Sequence, residues 1–230
     1  MNPSPPLIRI RQLRKTYREG DATRCIFEHL DLDIRQGEFV ALLGRSGSGK
    51  STLLNLVSGI DLPDAGEVWV NGRTVNTLDE QERTRFRRRQ VGFVFQFFNL
   101  IPTLTVEENL LLPLELNGLN SADQHQQALL MLEQVGLGGR RASFPEQLSG
   151  GEQQRLACVR ALAHQPLLLL ADEPTGNLDA ETGAQVLALL LKLHRLAGST
   201  VLMVTHNREV AEQADRLLYL EAGRVREITR

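Results

Sequence analysis

Apolar and polar positions alternate in two rhythms along this chain, and the rhythm changes mark its elements. Leu7 to Leu13 places Leu7, Ile8, Ile10 and Leu13 among polar residues and predicts an edge strand. Tyr17 follows in a polar stretch, Lys15 to Arg18, which reads as a loop. Cys25 to Ile34 predicts a second strand with Leu30, Leu32 and Ile34 on one face. Phe39 to Leu43 is uninterruptedly apolar and stops at Gly44, the pattern of a buried parallel strand. Lys50 to Ser58 switches to helical spacing and stops at Gly59. A turn at Leu62 to Gly66 leads into a strand, Glu67 to Val70, closed by Asn71-Gly72. These early strands predict an antiparallel β-subdomain flanking the segment between Gly44 and Ser51.

The later chain repeats the alternation of strand and helix. Val91 to Phe95 predicts a buried strand ending at Gln96. Thr105 to Leu116 and Ala122 to Val135 predict two amphipathic helices, the first opened by a capping box at Thr105 to Glu108. A helix follows Ser149 to about His164. Leu167 to Ala171 predicts a buried strand running into Asp172 and Glu173. Glu181 to Leu196 is helical, Thr200 to Thr205 is a strand, and a hairpin turning at Ala222-Gly223 ends the pattern. The expected fold is α/β: a parallel-sheet core, an antiparallel β-subdomain and a helical insertion. One domain is expected over residues 7–228, its core and β-subdomain from 1–96 and 165–228, its helical part from 97–164, with 1–6 a disordered Pro-rich tail.

Composition narrows the function classes. The 230 residues carry 26 Lys and Arg against 28 Asp and Glu, a balance that gives no global pull toward nucleic acid. Arginines cluster between Glu80 and Gln90 (Arg83, Arg85, Arg87, Arg88, Arg89), but Asp79, Glu80 and Glu82 offset them, so a solvated helix face is the preferred reading over an anion patch. Cys25 and Cys158 match no metal spacing and are expected to be buried thiols in a reducing compartment. No charged-then-apolar leader opens the chain, and no apolar run approaches the roughly 18 residues of a membrane span. The expectation is a soluble cytoplasmic protein that meets a membrane only through a partner.

The chemistry concentrates at Gly44-Arg45-Ser46-Gly47-Ser48-Gly49-Lys50-Ser51, a full match to G-x-x-x-x-G-K-S/T between a strand and a helix. The glycines let the backbone curl so that its N–H groups face a phosphate chain. The helix N-terminus adds partial positive charge at the same point. Lys50 can reach the β- and γ-phosphates, and Ser51 can ligand Mg²⁺. The stretch is a nucleoside triphosphate site.

Other candidates stand at strand and helix ends. Gln96 can touch Mg²⁺ or an attacking water, or simply satisfy a loop as a strand-end amide. Asp172 can hold Mg²⁺ and Glu173 can deprotonate a water for attack on the γ-phosphate, since two acids closing an apolar strand are costly without cations. Ser149, Gly150 and Gly151 open a second helix start that is either an anion site or an ordinary cap. Asp179 reads as an N-cap, and His206 stands at the C-terminal end of its strand, the expected ligand edge. Phe97, Phe98, Leu100, Ile101 and Leu104 form an apolar cluster, either core or a socket for a partner helix.

In this order the phosphate loop, Gln96, Leu148-Ser149-Gly150-Gly151-Glu152, Asp172-Glu173, Asp179 and His206 resemble the ATP-binding subunits of ABC transporters across about Leu7 to Ile228. Phe95 to Pro102 and Glu173 to Asp179 are similar to the lipoprotein-releasing and macrolide-exporting subgroup. The resemblance implies the ABC cassette form of the P-loop NTPase fold and an ATPase working with ATP and Mg²⁺. It implies that Tyr17 stacks on adenine and that Gly44 to Thr52 (Gly44, Arg45, Ser46, Gly47, Ser48, Gly49, Lys50, Ser51, Thr52) wraps the phosphates. Gln96 would link Mg²⁺ to the membrane partner, Glu173 would be the general base, and His206 would contact the γ-phosphate. Ser149, Gly150 and Gly151 would serve the ATP of the opposite subunit, with Asp179 crossing the interface of a homodimer. A permease would dock near Phe97 to Leu104. The competing class is a soluble ABC ATPase acting on DNA or ribosomes; the compact stretch between the two nucleotide motifs and the single cassette disfavour it.

Overall fold

A computed structural model of the chain describes residues 5–20 and 22–228. In chain order the elements are β1 (Ile8–Glu19), β2 (Ala22–Ile34), β3 (Phe39–Gly44), α1 (Lys50–Ser58), β4 (Ala65–Val70), β5 (Arg73–Thr74), α2 (Glu80–Gln90), β6 (Val91–Val94), α3 (Val106–Asn117), α4 (Ala122–Gln134), α5 (Gly150–Leu162), β7 (Leu168–Asp172), α6 (Ala180–Ala197), β8 (Thr200–Thr205), α7 (Arg208–Ala211), β9 (Arg216–Glu221) and β10 (Arg224–Glu227). They form two compact units, one of residues up to Arg87 with those from Thr200 onward, the other of Arg88–Ser199. The tail expected at 1–6 falls largely on residues 1–4, outside the described residues.

In the first unit β3 is the hub. It runs parallel to β8 on one side and to β9 on the other, and β10 adds antiparallel to β9. A strand flanked on both sides and covered on both faces must be apolar throughout, and all six residues of β3 are buried. The antiparallel sheet has the order β2-β1-β4-β5. Here the structure corrects the reading of Leu7 to Leu13 as an edge strand: β1 is interior, pairing Ile8 with Ile34 of β2 and with Val70 of β4. The irregular apolar spacing has a physical cause. Gln12 adopts φ 48°, the pairing register shifts there, and its N–H donates to Asp31 Oδ1 at 2.7 Å. That bulge returns Leu13 to the buried face after Ile8 and Ile10, at odd spacing. Tyr17 also lies in β1, opposite Arg24, and not in a loop.

α2 carries its arginines as a solvated, self-paired face. Arg83 donates to the Leu78 carbonyl, Arg87 to the Gly59 carbonyl, and both pair with Glu80. The thiol expectation holds for Cys158, which is buried, with burial pushing its pKa up to about 12, and fails for Cys25, which is exposed on β2. Cys25 ends a run at the start of β2, Ala22 to Cys25, that is exposed throughout.

In the second unit β6 and β7 pair in parallel, and α5 packs with β6, α3 and α6. α3 and α4 each begin with a capping box, at Thr105–Glu108 and Ser121–Gln124. The segment before α3 is held from inside by Asn109. Fully buried, it accepts from the Ile101 N–H at 2.8 Å and donates to the carbonyls of Ile101, Leu104 and Thr105 at 3.0, 2.9 and 3.0 Å. Phe97 is 73% exposed. No helix among the described residues is long and apolar enough to cross a membrane.

Replacing Asn109 by Ala removes the acceptor of the Ile101 N–H and the donor to the Leu104 carbonyl, and leaves the Ile101 and Thr105 carbonyls with only their backbone donors, Leu104 and residue 109. The expected cost is about 2–3 kcal/mol, read as a lower urea midpoint at unchanged slope.

Candidate nucleotide site

The phosphate loop lies between β3 and α1, in the first unit. Gly47 and Gly49 take φ 74° and 104°, conformations closed to other residues except at a cost. At Gly49 space forbids a side chain as well: a Cβ would stand 2.5 Å from Ile26 Cγ2 and 3.1 Å from the Phe27 ring. Arg24 steadies the loop from β2, donating to the Gly47 carbonyl at 2.7 Å. The Lys50 side chain is 7% exposed and turns back over the loop, donating to the Gly44 and Arg45 carbonyls at 2.9 and 3.2 Å.

The start of α1 is the unusual feature. Helices α2 to α6 each begin under a side-chain oxygen, from Asp79, Thr105, Ser121, Ser149 and Asp179. α1 begins at Gly49 with no side-chain cap and no acidic residue in its first turn. Its N-cap residue therefore offers these first amides no side-chain acceptor. Ser48 Oγ is buried without a hydrogen-bond partner beside them. Such a turn fits a polyphosphate, which supplies the missing acceptors. Ser51 is exposed at the same helix start.

Two cavities of the first unit border this loop. One, about 510 Å³, is lined by Leu43, Gly44, Arg45, His206, Arg208 and Tyr219, with Arg226 and Ile228. It brings His206 together with the phosphate loop. The other, about 390 Å³, has Arg24, Cys25, Ile26 and Glu28 facing Gly47 and Ser48, with Ala222 and Gly223. Tyr17 is anchored nearby in sequence space on β1. Its hydroxyl donates to Asp61 Oδ2 at 2.6 Å, and Lys15 Nζ, bound to Asp61 Oδ1 at 2.7 Å, stands 4.9 Å from the ring centroid. Burial and the Asp61 hydrogen bond raise the Tyr17 pKa; against the upward push of burial, hydrogen bonds from Lys15 and Tyr17 hold the Asp61 carboxyl below its usual value.

The second unit carries the remaining candidates. Asp172 ends β7, half-buried, and Glu173 follows with φ 46°. A left-handed glutamate is strained by about 1–3 kcal/mol. Gln96 is engaged with Asn177: its Nε2 donates to Asn177 Oδ1 at 3.1 Å, and Asn177 Nδ2 donates to the Gln96 carbonyl at 3.0 Å. Ser149 caps α5 in a full capping box. Its hydroxyl accepts from the Glu152 N–H at 3.3 Å and donates to Glu152 Oε2 at 2.9 Å. Those bonds, from the Ser149 backbone and side chain, lower the Glu152 pKa. Gly150 is open to solvent, while a Cβ at Gly151 would stand 2.4 Å from Thr182 Cγ2 of α6. Asp179 caps α6, accepting from the Thr182 N–H at 2.9 Å, and hydrogen bonds from the Thr182 side chain and backbone hold its pKa low. Asn177 and Gln154 belong with these residues although the sequence pattern singles out neither. The available signal for Gln154 is a polar residue in helical register with the buried Ala157, Cys158 and Ala161.

Residues 27–176 match the family model described as ABC transporter. The chain belongs to the ABC transporter family. An uncharacterized ABC transporter ATP-binding protein of Mycobacterium tuberculosis is 54% identical to this family member over 220 residues, 96% of this chain and 89% of the relative. The lipoprotein-releasing system ATP-binding protein LolD of Xanthomonas campestris pv. campestris is 46% identical over 222 residues, covering 96% and 93%. A solved dimeric ATP-binding cassette in a post-hydrolysis state, bound to ADP and Pi, superposes with a TM-score of 0.87 at 43% identity, covering 96% of this chain and 98% of that one. The fold is accordingly that of an ABC ATPase cassette, and this ABC transporter ATP-binding subunit is an ATPase.

For this ABC ATPase, Gly49→Ala should lose ATP binding and about 2 kcal/mol of stability, because the added methyl meets Ile26 in a backbone conformation that alanine resists. Nucleotide titration together with urea unfolding checks both.

Proposed function

We propose that the chain is one of two identical ATPase subunits that close on ATP and open after hydrolysis to drive a membrane permease. The observation that carries this reading is the start of α1 with no side-chain cap, at the buried Lys50 of a glycine-rich loop, in a chain that also has the Ser149 to Glu152 helix start. One chain supplies one of each. The solved neighbour of high similarity is a dimer, which supports pairing of two copies. In the pair, Gly44 to Thr52 of one copy and Ser149, Gly150 and Gly151 of the other serve the same nucleotide, with Asp179 at the interface. Tyr17 takes adenine on the ring face that Lys15 leaves open.

Mg²⁺-bound ATP brings the transferable γ-phosphoryl group and a cation that offsets its charge. Ser51, Asp172 and Gln96 are the residues to hold the cation. Glu173 takes the proton of the attacking water and His206 steadies the γ-phosphate. Lys50 and the amides of α1 neutralise charge on the phosphates.

The membrane side of the reading rests on Phe97, the most exposed large apolar residue of the segment Phe97 to Leu104. We assign the permease to that segment and the protein to the cytoplasmic face of the membrane. The similarity to LolD supports a lipoprotein-releasing or exporting system as the type.

Glu173→Gln should bind ATP, hydrolyse it at least about a hundredfold more slowly, and accumulate as an ATP-bound dimer on gel filtration. Turnover at the unaltered rate would remove Glu173 from the role of base. Ser149→Arg should abolish hydrolysis while each subunit still binds ATP at its phosphate loop; full activity in that variant rules out the shared site.

A further inference from the structure

Gln154 lies on the second turn of α5 with none of its surface exposed. Its Nε2 donates to two backbone carbonyls from distant parts of the sequence, Pro174 at 2.7 Å and Phe95 at 3.3 Å. Pro174 follows Glu173 directly, and Phe95 directly precedes Gln96. The same two segments are tied a second time by the reciprocal Gln96–Asn177 bonds. They also approach closely at Gly176, where a Cβ would stand 3.1 Å from Gln96 Nε2 and 3.4 Å from Glu173 Cβ.

An amide is an expensive way to fill this position. Ala157, Cys158 and Ala161 on the same face are apolar and buried, and Gln154 Oε1 is left buried without a partner. A residue kept for packing alone would be apolar, as its neighbours are. What the amide supplies is fixation of two backbones at once. Glu173 needs such support, because its φ of 46° persists only where the surroundings over-determine it.

We propose that Gln154 is a positioning residue for ATP hydrolysis: by bonding the carbonyls beside Gln96 and Glu173, it holds both segments in one arrangement set by α5. This rests on the roles given above to Glu173 and Gln96. Gln154 takes no part in proton transfer itself. It keeps the Glu173 carboxylate where the water is deprotonated, and it makes the Gln96 segment, the Glu173 segment and the helix that begins at Ser149 move as one piece.

The test is Gln154→Met in the full chain, which keeps the length of the side chain and removes both donations. The expected result is a fall in kcat of about tenfold with the Kd for ATP changed by less than about twofold, the split of a misplaced base. In the Glu173→Gln background the same substitution should cause no further loss, because the group it positions is already gone. Unchanged kcat, or an equal additional loss in that background, overturns the proposal. Because the Met variant disturbs a buried position, Gln154→Asn is measured alongside: it keeps an amide that falls short of the carbonyls and should show the same split. If both variants weaken ATP binding as much as turnover, the role is general support of the fold and the proposal is wrong. Failure of the base assignment itself is seen separately, as normal turnover in Glu173→Gln alone.

Discussion

A helix that starts without a side-chain cap leaves its first amides unbonded, and the region around Gly44 to Ser51 is arranged to make that tolerable. The residue directly before Lys50 is Gly49, which has no side-chain oxygen to cap the helix. The backbone must come close to its neighbours, so Gly49 lies against Ile26 and Phe27, where nothing larger fits. The loop must keep its curl when empty, so Arg24 and Lys50 hold its carbonyls. The apolar strand β3, paired on both sides, gives the loop a rigid base. A polyphosphate then meets donors already oriented, and little ordering cost falls on binding.

The second unit solves a different problem, holding a carboxylate in a backbone conformation it does not prefer. Glu173 follows the buried run of β7, and its φ is positive. The turn closes with the Gly176 N–H donating to the Glu173 carbonyl at 2.9 Å, while Gln154 holds the next carbonyl. The small Gly151 lets α5 and α6 approach closely enough for this network to form. Strain at one residue is thus distributed over bonds contributed by several elements.

Where local chemistry decides, the sequence was a good guide. β3, α1, α3, β7, α6 and β8 follow from apolar runs and helical spacing, and the Thr105 cap from a four-residue pattern. The phosphate loop is legible because a glycine turn, a lysine and a helix start are contiguous. Features that depend on distant partners were not legible. The bulge at Gln12 exists because Asp31 of another strand accepts its N–H. Tyr17 sits in a polar stretch that reads as a loop, yet it is strand because β2 pairs with it. Cys25 is exposed because the start of β2, Ala22 to Cys25, is left uncovered. The four-residue α7 is too short to show periodicity. Gln154 and Asn177 lie in stretches that carry the family resemblance, but their hydrogen bonds were not legible, since their partners lie up to 81 residues away.

The capping box at Ser149 has one more consequence. The proton of the Ser149 hydroxyl is directed at Glu152, whose carboxylate sits at the helix start where an anion would otherwise gather. A stray phosphate therefore meets negative charge at this helix and no side-chain cap at α1. Under the proposed function the two helix starts are unequal in a single copy: one would take a phosphate directly, the other is already engaged by its own carboxylate. A polyphosphate must loosen the serine from its own carboxylate before that end accepts it, so a single copy keeps its nucleotide at one place and does not squander the other on solvent ions.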